Sequence, residues 1–303
     1  MSSKMIFTIT FTTKKLNALF LLCLSFLFLT AADTSDSPQF VTLDSMNETF
    51  PVHGKIKKVS QYESVDAAPL SIKESNFWSE LRFNEPGFYG ISVLEQNGNT
   101  RFYSVFVSPI PSVHTDRRIE DTNWYQTQFN SGTLSNCGPA CCSMAISFAT
   151  GEFFPVSEVR REVGWQGDGG TSFEELIKVI KSQNINAKII PLKTFEQIKN
   201  VIDSNGVAIV LFKTDGVASN SKNPGKNFFD KYYVDNVGHY ILVKGYSEDG
   251  RYLIVHDPIP SDWSGNNFRH SDGISMIGKN RYYKTDELLK SLRRQDMIAV
   301  MRN

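Results

Sequence analysis

The sequence predicts an α+β domain over residues 123–303 behind a small β-sandwich. Capped amphipathic helical segments occupy the first half of that domain, and apolar strand-like runs fill its second half. Helices first and an antiparallel sheet afterwards is the chain order of an α+β architecture. Residues 39 to about 110 stand apart because they carry only strand signals.

The elements follow in order. Lys14 and Lys15 precede an apolar run from Leu16 to Ala32, and Thr30-Ala31-Ala32 offers small residues for cleavage before Asp33. That is the layout of a secretory signal peptide over residues 1–32. Its retention as a membrane anchor is the alternative, because the run nears the ~17-residue lower limit for spanning a bilayer. The chain is therefore expected to be exported, either secreted or held in the cell envelope or periplasm. Membrane contact is expected only if the segment is retained. Bulky Leu22 before Cys23 argues against lipidation.

Residues 33–110 form the β-rich module. Phe88–Val93 and Phe102–Val107 flank Asn97-Gly98, a hairpin turn signal. Phe40–Leu43, Lys55–Val59 and Phe77–Phe83 have the same character. Residues 111–122 then mix Pro111 with Asp116-Arg117-Arg118 and Glu120-Asp121, a linker composition.

In the domain itself, a helix beginning at Asn136 or Cys137 is stopped by Gly151, with Ala140, Cys141, Met144 and Phe148 at core-like spacing. Ser172-Phe173-Glu174-Glu175 reads as a capping box, and Phe173, Leu176, Ile177 and Ile180 form one helical face. Thr194 to Gln197 repeats the device, with Phe195, Ile198, Val201 and Ile202 behind it. Val207–Phe212 suits a buried strand. Gly238–Val243 and Leu253–Pro258 read as two further strands, Thr285–Leu292 as a short helix, and Met297–Met301 as a closing strand.

Composition bounds the function. Lys+Arg and Asp+Glu both number 32, so no global field draws the chain to nucleic acid or to an anionic membrane. No nucleic-acid partner is expected, and the oligomeric state is not legible. Without the signal segment three cysteines remain, Cys137, Cys141 and Cys142, all within six consecutive residues. They cannot staple a fold through disulfides, and at least one thiol is left outside intramolecular pairing. No second ligand pair accompanies them, so neither a metal nor a cofactor is expected.

Cys137 stands out. In a first helical turn, unpaired N–H groups and the helix dipole favour a thiolate. Gly138 is read as admitting a substrate backbone, and Pro139 is tolerated because first-turn N–H groups have no helical partner. Downstream, His239 and Asp257 lie on the two strands of a hairpin. If those strands fold about Glu248, the two residues stand directly opposite each other with Cβ atoms ~5 Å apart. A turn centred one half-step later offsets the pair, and a bulge can correct the offset. His256 has the wrong parity, points to the other face and is read as structural. His239 is then the base that takes the thiol proton, and Asp257 holds its tautomer. The oxyanion donors are the Cys137 backbone N–H and a preceding glutamine, Gln126 or Gln128. His53, His114 and His270 are read as solvated surface residues.

Gln128-Phe129-Asn130, Asn136-Cys137-Gly138-Pro139-Ala140, Gly238-His239-Tyr240 and His256-Asp257-Pro258 together resemble the bacteriocin-processing peptidase-like family. These are the double-glycine leader peptidases among papain-like cysteine peptidases. The resemblance spans about residues 123–303. It implies a papain-like fold, a peptide or protein substrate, and Cys137, His239 and Asp257 as nucleophile, base and orienter. The family's upstream oxyanion glutamine maps best to Gln128. Transporter-fused members cut after a double glycine on the cytosolic side of the membrane, whereas this chain, with its export signal, looks like a stand-alone secreted branch. That substrate is therefore not carried over. The expectation is an exported hydrolase of peptide or amide bonds working through a thioester. An acyl transferase using the same triad, or an inactive papain-like binding module, are the alternatives.

Overall fold

The computed structural model describes residues 38–60, 70–116, 124–129, 135–164, 170–260, 268–270, 273 and 275–302. The expected signal peptide at 1–32 lies outside them. Seven strands come first: β1 (Gln39–Leu43), β2 (Thr49–His53), β3 (Lys55–Ser60), β4 (Leu70–Glu74), β5 (Trp78–Phe83), β6 (Gly87–Leu94) and β7 (Thr100–Val107). They form a four-stranded sheet, β1-β7-β6-β3, and a three-stranded one, β2-β5-β4. Leu43, Phe50, Leu81, Phe83, Ile91 and Val105 are among the residues filling the space between the two sheets. The hairpin at Asn97-Gly98 forms as expected, with Phe88 facing Phe106 and Gly98 at φ 86, a value that suits glycine.

Alternation along β6 and β7 gives the four-stranded sheet a second apolar face. Phe88 and Phe106 point out of the sandwich and pack on Ile254 and Tyr282. Those two residues belong to β12 (Tyr252–His256) and β13 (Arg281–Lys284).

The remaining strands and α-helices are β8 (Ser112–His114), α1 (Cys137–Thr150), α2 (Val156–Val163), α3 (Phe173–Ser182), β9 (Ala187–Pro191), α4 (Phe195–Asp203), β10 (Gly206–Lys213), β11 (Gly238–Ser247), α5 (Thr285–Lys290) and β14 (Asp296–Met301). Strands β13-β12-β11-β10-β14-β9 make one antiparallel sheet, and β8 pairs with the end of β11. The protein is α+β, with helices ahead of this sheet.

Every residue from Gly138 to Ala149 is buried. A helix apolar all round belongs at the centre of a fold. It packs with α2 and α3 on one face of the sheet, against Tyr240, Leu242, Val207, Ile209 and Ile298. The neighbouring residues Ile241, Val243, Ala208, Val210 and Met297 face the other way, onto α4 and α5. Strand β10 is thus buried on both sides, which is why it reads as one continuous apolar run. The Ser172 capping box is present, with Glu175 N–H donating to Ser172 Oγ at 3.2 Å and Ser172 N–H to Glu175 Oε2 at 2.7 Å.

Three expectations need correction. Ser112–His114, in the segment read as linker, is a strand because its backbone pairs with Gly245–Ser247. His114 and His270, read as solvated, are 5% and 4% exposed. His114 Nε2 meets Ser108 Oγ at 2.8 Å, and His270 stacks on Phe228 at 4.4 Å. The segments carrying these residues are covered by the sandwich, a tertiary effect that local composition does not encode.

Candidate active site

Cys137 opens α1. Ser135 adopts φ 62 and turns the chain, and the Asn136 carbonyl accepts the Ala140 N–H at 2.9 Å. The thiol therefore sits in the first turn, where N–H groups lack helical partners. It is half-buried, whereas Cys141 and Cys142 are fully enclosed. Gly138, read as admitting a substrate backbone, is buried. A Cβ there would approach the Tyr240 ring to 3.2 Å, so the glycine makes room for the sheet.

His239 comes from β11, where it faces Phe212 of β10. The β11–β12 hairpin turns later than Glu248, and Tyr246 faces Leu253. Continued unbroken, that register would put His239 on the same face as His256. An extra residue, Lys244, interrupts β11, and beyond it Val243 faces Val255 and Leu242 faces His256. A one-residue insertion exchanges the two faces of a strand. Asp257 thereby shares the His239 face, set diagonally to it rather than directly opposite. His256 turns away, as expected, and packs on Trp124 with ring centroids 4.4 Å apart.

The diagonal is closed by side chains. His239 Nε2 donates to Asp257 Oδ1 at 2.9 Å, and the two residues are 2% and 0% exposed. That leaves Nδ1 as the ring nitrogen available to the Cys137 thiol, which His239 holds below its ordinary value. Oδ1 of Asp257 also accepts the Ile259 N–H at 2.9 Å. Oδ2 accepts the hydroxyls of Tyr283 at 2.6 Å and Tyr233 at 3.2 Å. A buried carboxylate thus receives four donors, which offsets its desolvation.

The electrostatics follow from these contacts. Burial pushes the Cys137 thiol up, but its hydrogen bond to His239, the charge of that ring and the backbone N–H groups of Tyr240 and Gly138 hold it below its ordinary value. Burial pulls the other way on His239, and Asp257 together with Cys137 overcomes it, raising the imidazole to about 10. Burial also opposes the charge on Asp257. His239, Tyr283 and the Ile259 N–H keep it below the usual carboxylate value. Burial raises both Cys141 and Cys142. Of the three thiols among the described residues, Cys137 alone is held below its ordinary value.

Cys137 and His239 open into a cleft of about 600 Å³, with Asp257 fully buried behind them. Leu211, Val237 and Ile259 supply apolar wall, Thr171 and Ser172 a polar one, and Arg293 and Arg294 also line it. Arg294 is paired with Glu174 at 3.2 Å and Asp296 at 2.8 Å. Gln128 lines the same cleft. Its backbone N–H is fixed to the Pro258 carbonyl at 2.9 Å, while its carboxamide oxygen has no hydrogen-bond partner among the described residues. Gln126 lies elsewhere, donating to the Phe154 carbonyl at 2.7 Å and to Ser147 Oγ at 3.3 Å. The structure therefore brings Cys137, His239, Asp257 and Gln128 together and leaves Gln126 out. Asn130 lies outside the described residues.

The chain matches the Peptidase_C39 like family over residues 121–287, a stretch that holds Cys137, His239, Asp257 and Gln128. It belongs to that family. This C39-like protein is a papain-like cysteine peptidase, a hydrolase whose family acts on peptide or protein substrates. Solved structures similar to it include a C39-like peptidase from Bacillus anthracis, with 11% identity, a TM-score of 0.40, and 60% of this chain and 96% of that one covered. The peptidase domain of Streptococcus ComA, a bi-functional ABC transporter involved in a quorum sensing pathway, has 13% identity and a TM-score of 0.37, over 59% and 98% of the two chains. Xylellain, a cysteine protease from Xylella fastidiosa, has 14% identity and a TM-score of 0.37, over 64% and 86%. No match is found among curated proteins. Membership rests on the family match alone.

Two residues that hold Asp257 carry no local signal of their own in the sequence. Tyr283 could have been found from parity, since it stands opposite Leu253 on the His239 face of the sheet. Tyr233 lies in a connection with no periodicity to read.

Proposed function

We propose that the chain is an exported peptidase in which Cys137 is the nucleophile, His239 the general acid and base, Asp257 the orienter and Gln128 an oxyanion donor. The Cys137–His239–Asp257 relay, half-buried at the thiol and opening into the cleft through Cys137 and His239, is the observation that carries this reading. The Cys137 thiolate attacks the scissile carbonyl carbon, and the negative charge moves to the carbonyl oxygen. Donors there are the Cys137 backbone N–H and the Gln128 carboxamide, one such side-chain donor being worth ~3 kcal/mol. Collapse of this intermediate breaks the C–N bond, and the His239 imidazolium gives its proton to the leaving amine. A thioester remains. Water, deprotonated by the now neutral His239, attacks it, and the acid product leaves as Cys137 returns to thiolate.

Export is supported by Lys14-Lys15 and the apolar run Leu16–Ala32. Two measurements test the proposal. Mass spectrometry of peptides and unfolded proteins incubated with wild type and with Cys137→Ala should find new N-termini from wild type only; equal cleavage by both would refute the nucleophile. N-terminal sequencing of the mature chain should begin at Asp33, and a chain retaining residues 1–32 inside the cell would refute export.

A further inference from the structure

The β11 bulge is held by residues that belong to none of the four catalytic roles. Lys244, the extra residue, is fully buried and forms an ion pair with Asp116 at 2.5 Å. Its ammonium also donates to Asn280 Oδ1 at 2.8 Å and lies 5.7 Å from the centre of the Trp124 ring. Its carbonyl, pushed out of the β11–β12 ladder, accepts both the N–H and the hydroxyl of Thr115 at 3.0 Å. Thr115 and Asp116 directly follow β8, which pairs residue for residue with Gly245–Ser247. A Cβ on Gly245 would overlap the Val113 carbonyl oxygen, so glycine is what lets β8 come this close. The far side of the lysine reaches Asp257 by another route. The backbone N–H of Asn280 donates to His256 Nδ1 at 3.2 Å, and the carbonyl of nearby Gly278 accepts the Asp257 N–H at 2.8 Å.

A buried ion pair is a poor source of stability compared with packed apolar side chains, and fixing a register is its best-attested use. This one sits where register decides chemistry. On β11, His239, Ile241 and Val243 share a face, and the next residue on that face is Tyr246, three positions further along. Without the insertion that face would carry His256, opposite Val243, in place of Asp257.

We propose that Lys244 and the Thr115-Asp116 segment leading out of the N-terminal sandwich are positioning residues, which pin the β11 bulge and thereby set His239 against Asp257. The sandwich is then part of what makes the catalytic pair, because it delivers the strand and the two residues that hold the insertion in place. This inference rests on the triad reading and adds the element that aligns it.

The test uses the full chain and iodoacetamide as the probe, with labelling mapped to each cysteine. Lys244→Met combined with Asp116→Leu removes both charges and leaves an apolar pair of similar bulk. The expected result is a folded protein in which Cys137 labels about tenfold more slowly at pH 6, its labelling midpoint moved up by about one pH unit. A purely structural role lowers the melting temperature and leaves that midpoint where it is in wild type. An unchanged midpoint in the folded double variant overturns the proposal. If the double variant does not fold, Thr115→Val deletes only the hydroxyl bond to the bulge carbonyl and carries the same test. A raised midpoint with intact melting supports the proposal, and a wild-type midpoint overturns it. Slow labelling of wild-type Cys137 at pH 6 is a different failure, since it removes the triad reading itself.

Discussion

His239 and Asp257 meet on a diagonal. The β11–β12 register, continued one step past Leu242 and His256, sets Asp257 against Ile241, yet His239 Nε2 lies 2.9 Å from Asp257 Oδ1. The side chains span the two-residue offset because Tyr283, Tyr233 and the Ile259 N–H fix the carboxylate from its other sides.

Tyr283→Phe therefore tests the orientation of the pair. It removes the shortest bond to Asp257 Oδ2 and keeps the ring that packs behind it. Loss of a hydrogen bond to a charged group costs about 1.5–3 kcal/mol. The expected outcome is lower thermal stability and a lower kcat with KM unchanged. Asp257→Asn should cost more activity than Tyr283→Phe and less than loss of His239, measured as kcat/KM on one peptide.

Cys137→Ala should abolish turnover while leaving the melting curve close to wild type, since the thiol is half-buried at a helix end. Cys142→Ala should retain substantial activity. Its thiol is enclosed in the core, with Sγ contacting the Leu176 carbonyl at 3.7 Å, so the cost falls on stability. Loss of activity without unfolding in Cys142→Ala would displace Cys137 from its role.

The pH dependence of folding has a sign. His239 is raised from 6.5 to about 10, so between those values the folded chain holds a proton that the unfolded chain releases. Its contribution to stability is full below pH 6.5 and is lost as pH rises through about 10. Asp257 is lowered from 3.8, so its contribution is present above that value and disappears as pH falls through the folded one. Urea denaturation of wild type and His239→Ala at pH 6 and pH 10 should give a stability difference that shrinks at the higher pH. A difference independent of pH would contradict the buried imidazolium.

The two glutamines separate stability from chemistry. Gln128→Ala should lower kcat about 10²–10³-fold, the range for one oxyanion donor, with little change in melting temperature. Gln126→Ala should do the reverse, because Gln126 ties the end of α1 to the Phe154 carbonyl.

The parts of this fold that are local in origin were legible in the sequence. The Ser172 capping box, the Asn97-Gly98 hairpin and the continuous apolar run of β10 each rest on residues within a few positions of one another. Cys137 at a helix start was legible for the same reason. The pairing of His239 with Asp257 was reached through a register that the structure corrects, and it survives because the bulge at Lys244 restores the parity that the later turn removes. The one warning in the chain is the spacing of Ile241, Val243 and Tyr246, which breaks the two-residue period. His114, His270 and β8 were misread because their burial depends on the sandwich packing over them, and the roles of Tyr233 and Arg281 depend on contacts made across loops. Arg281, fully buried, donates to the carbonyls of Asn227 and Phe229 and so holds the connection that carries Tyr233.

The proposed role of Cys137 requires an activated thiol, which the pH dependence of its alkylation reports. Wild type and His239→Ala, both shown to be folded, are treated with iodoacetamide across the pH range and each cysteine is mapped by mass spectrometry. Rapid labelling confined to Cys137 below pH 7 and lost in His239→Ala is expected, with Cys141 and Cys142 unlabelled until the chain unfolds. Labelling of Cys137 only near the ordinary thiol value of ~8.5, at the same rate in both proteins, would contradict it.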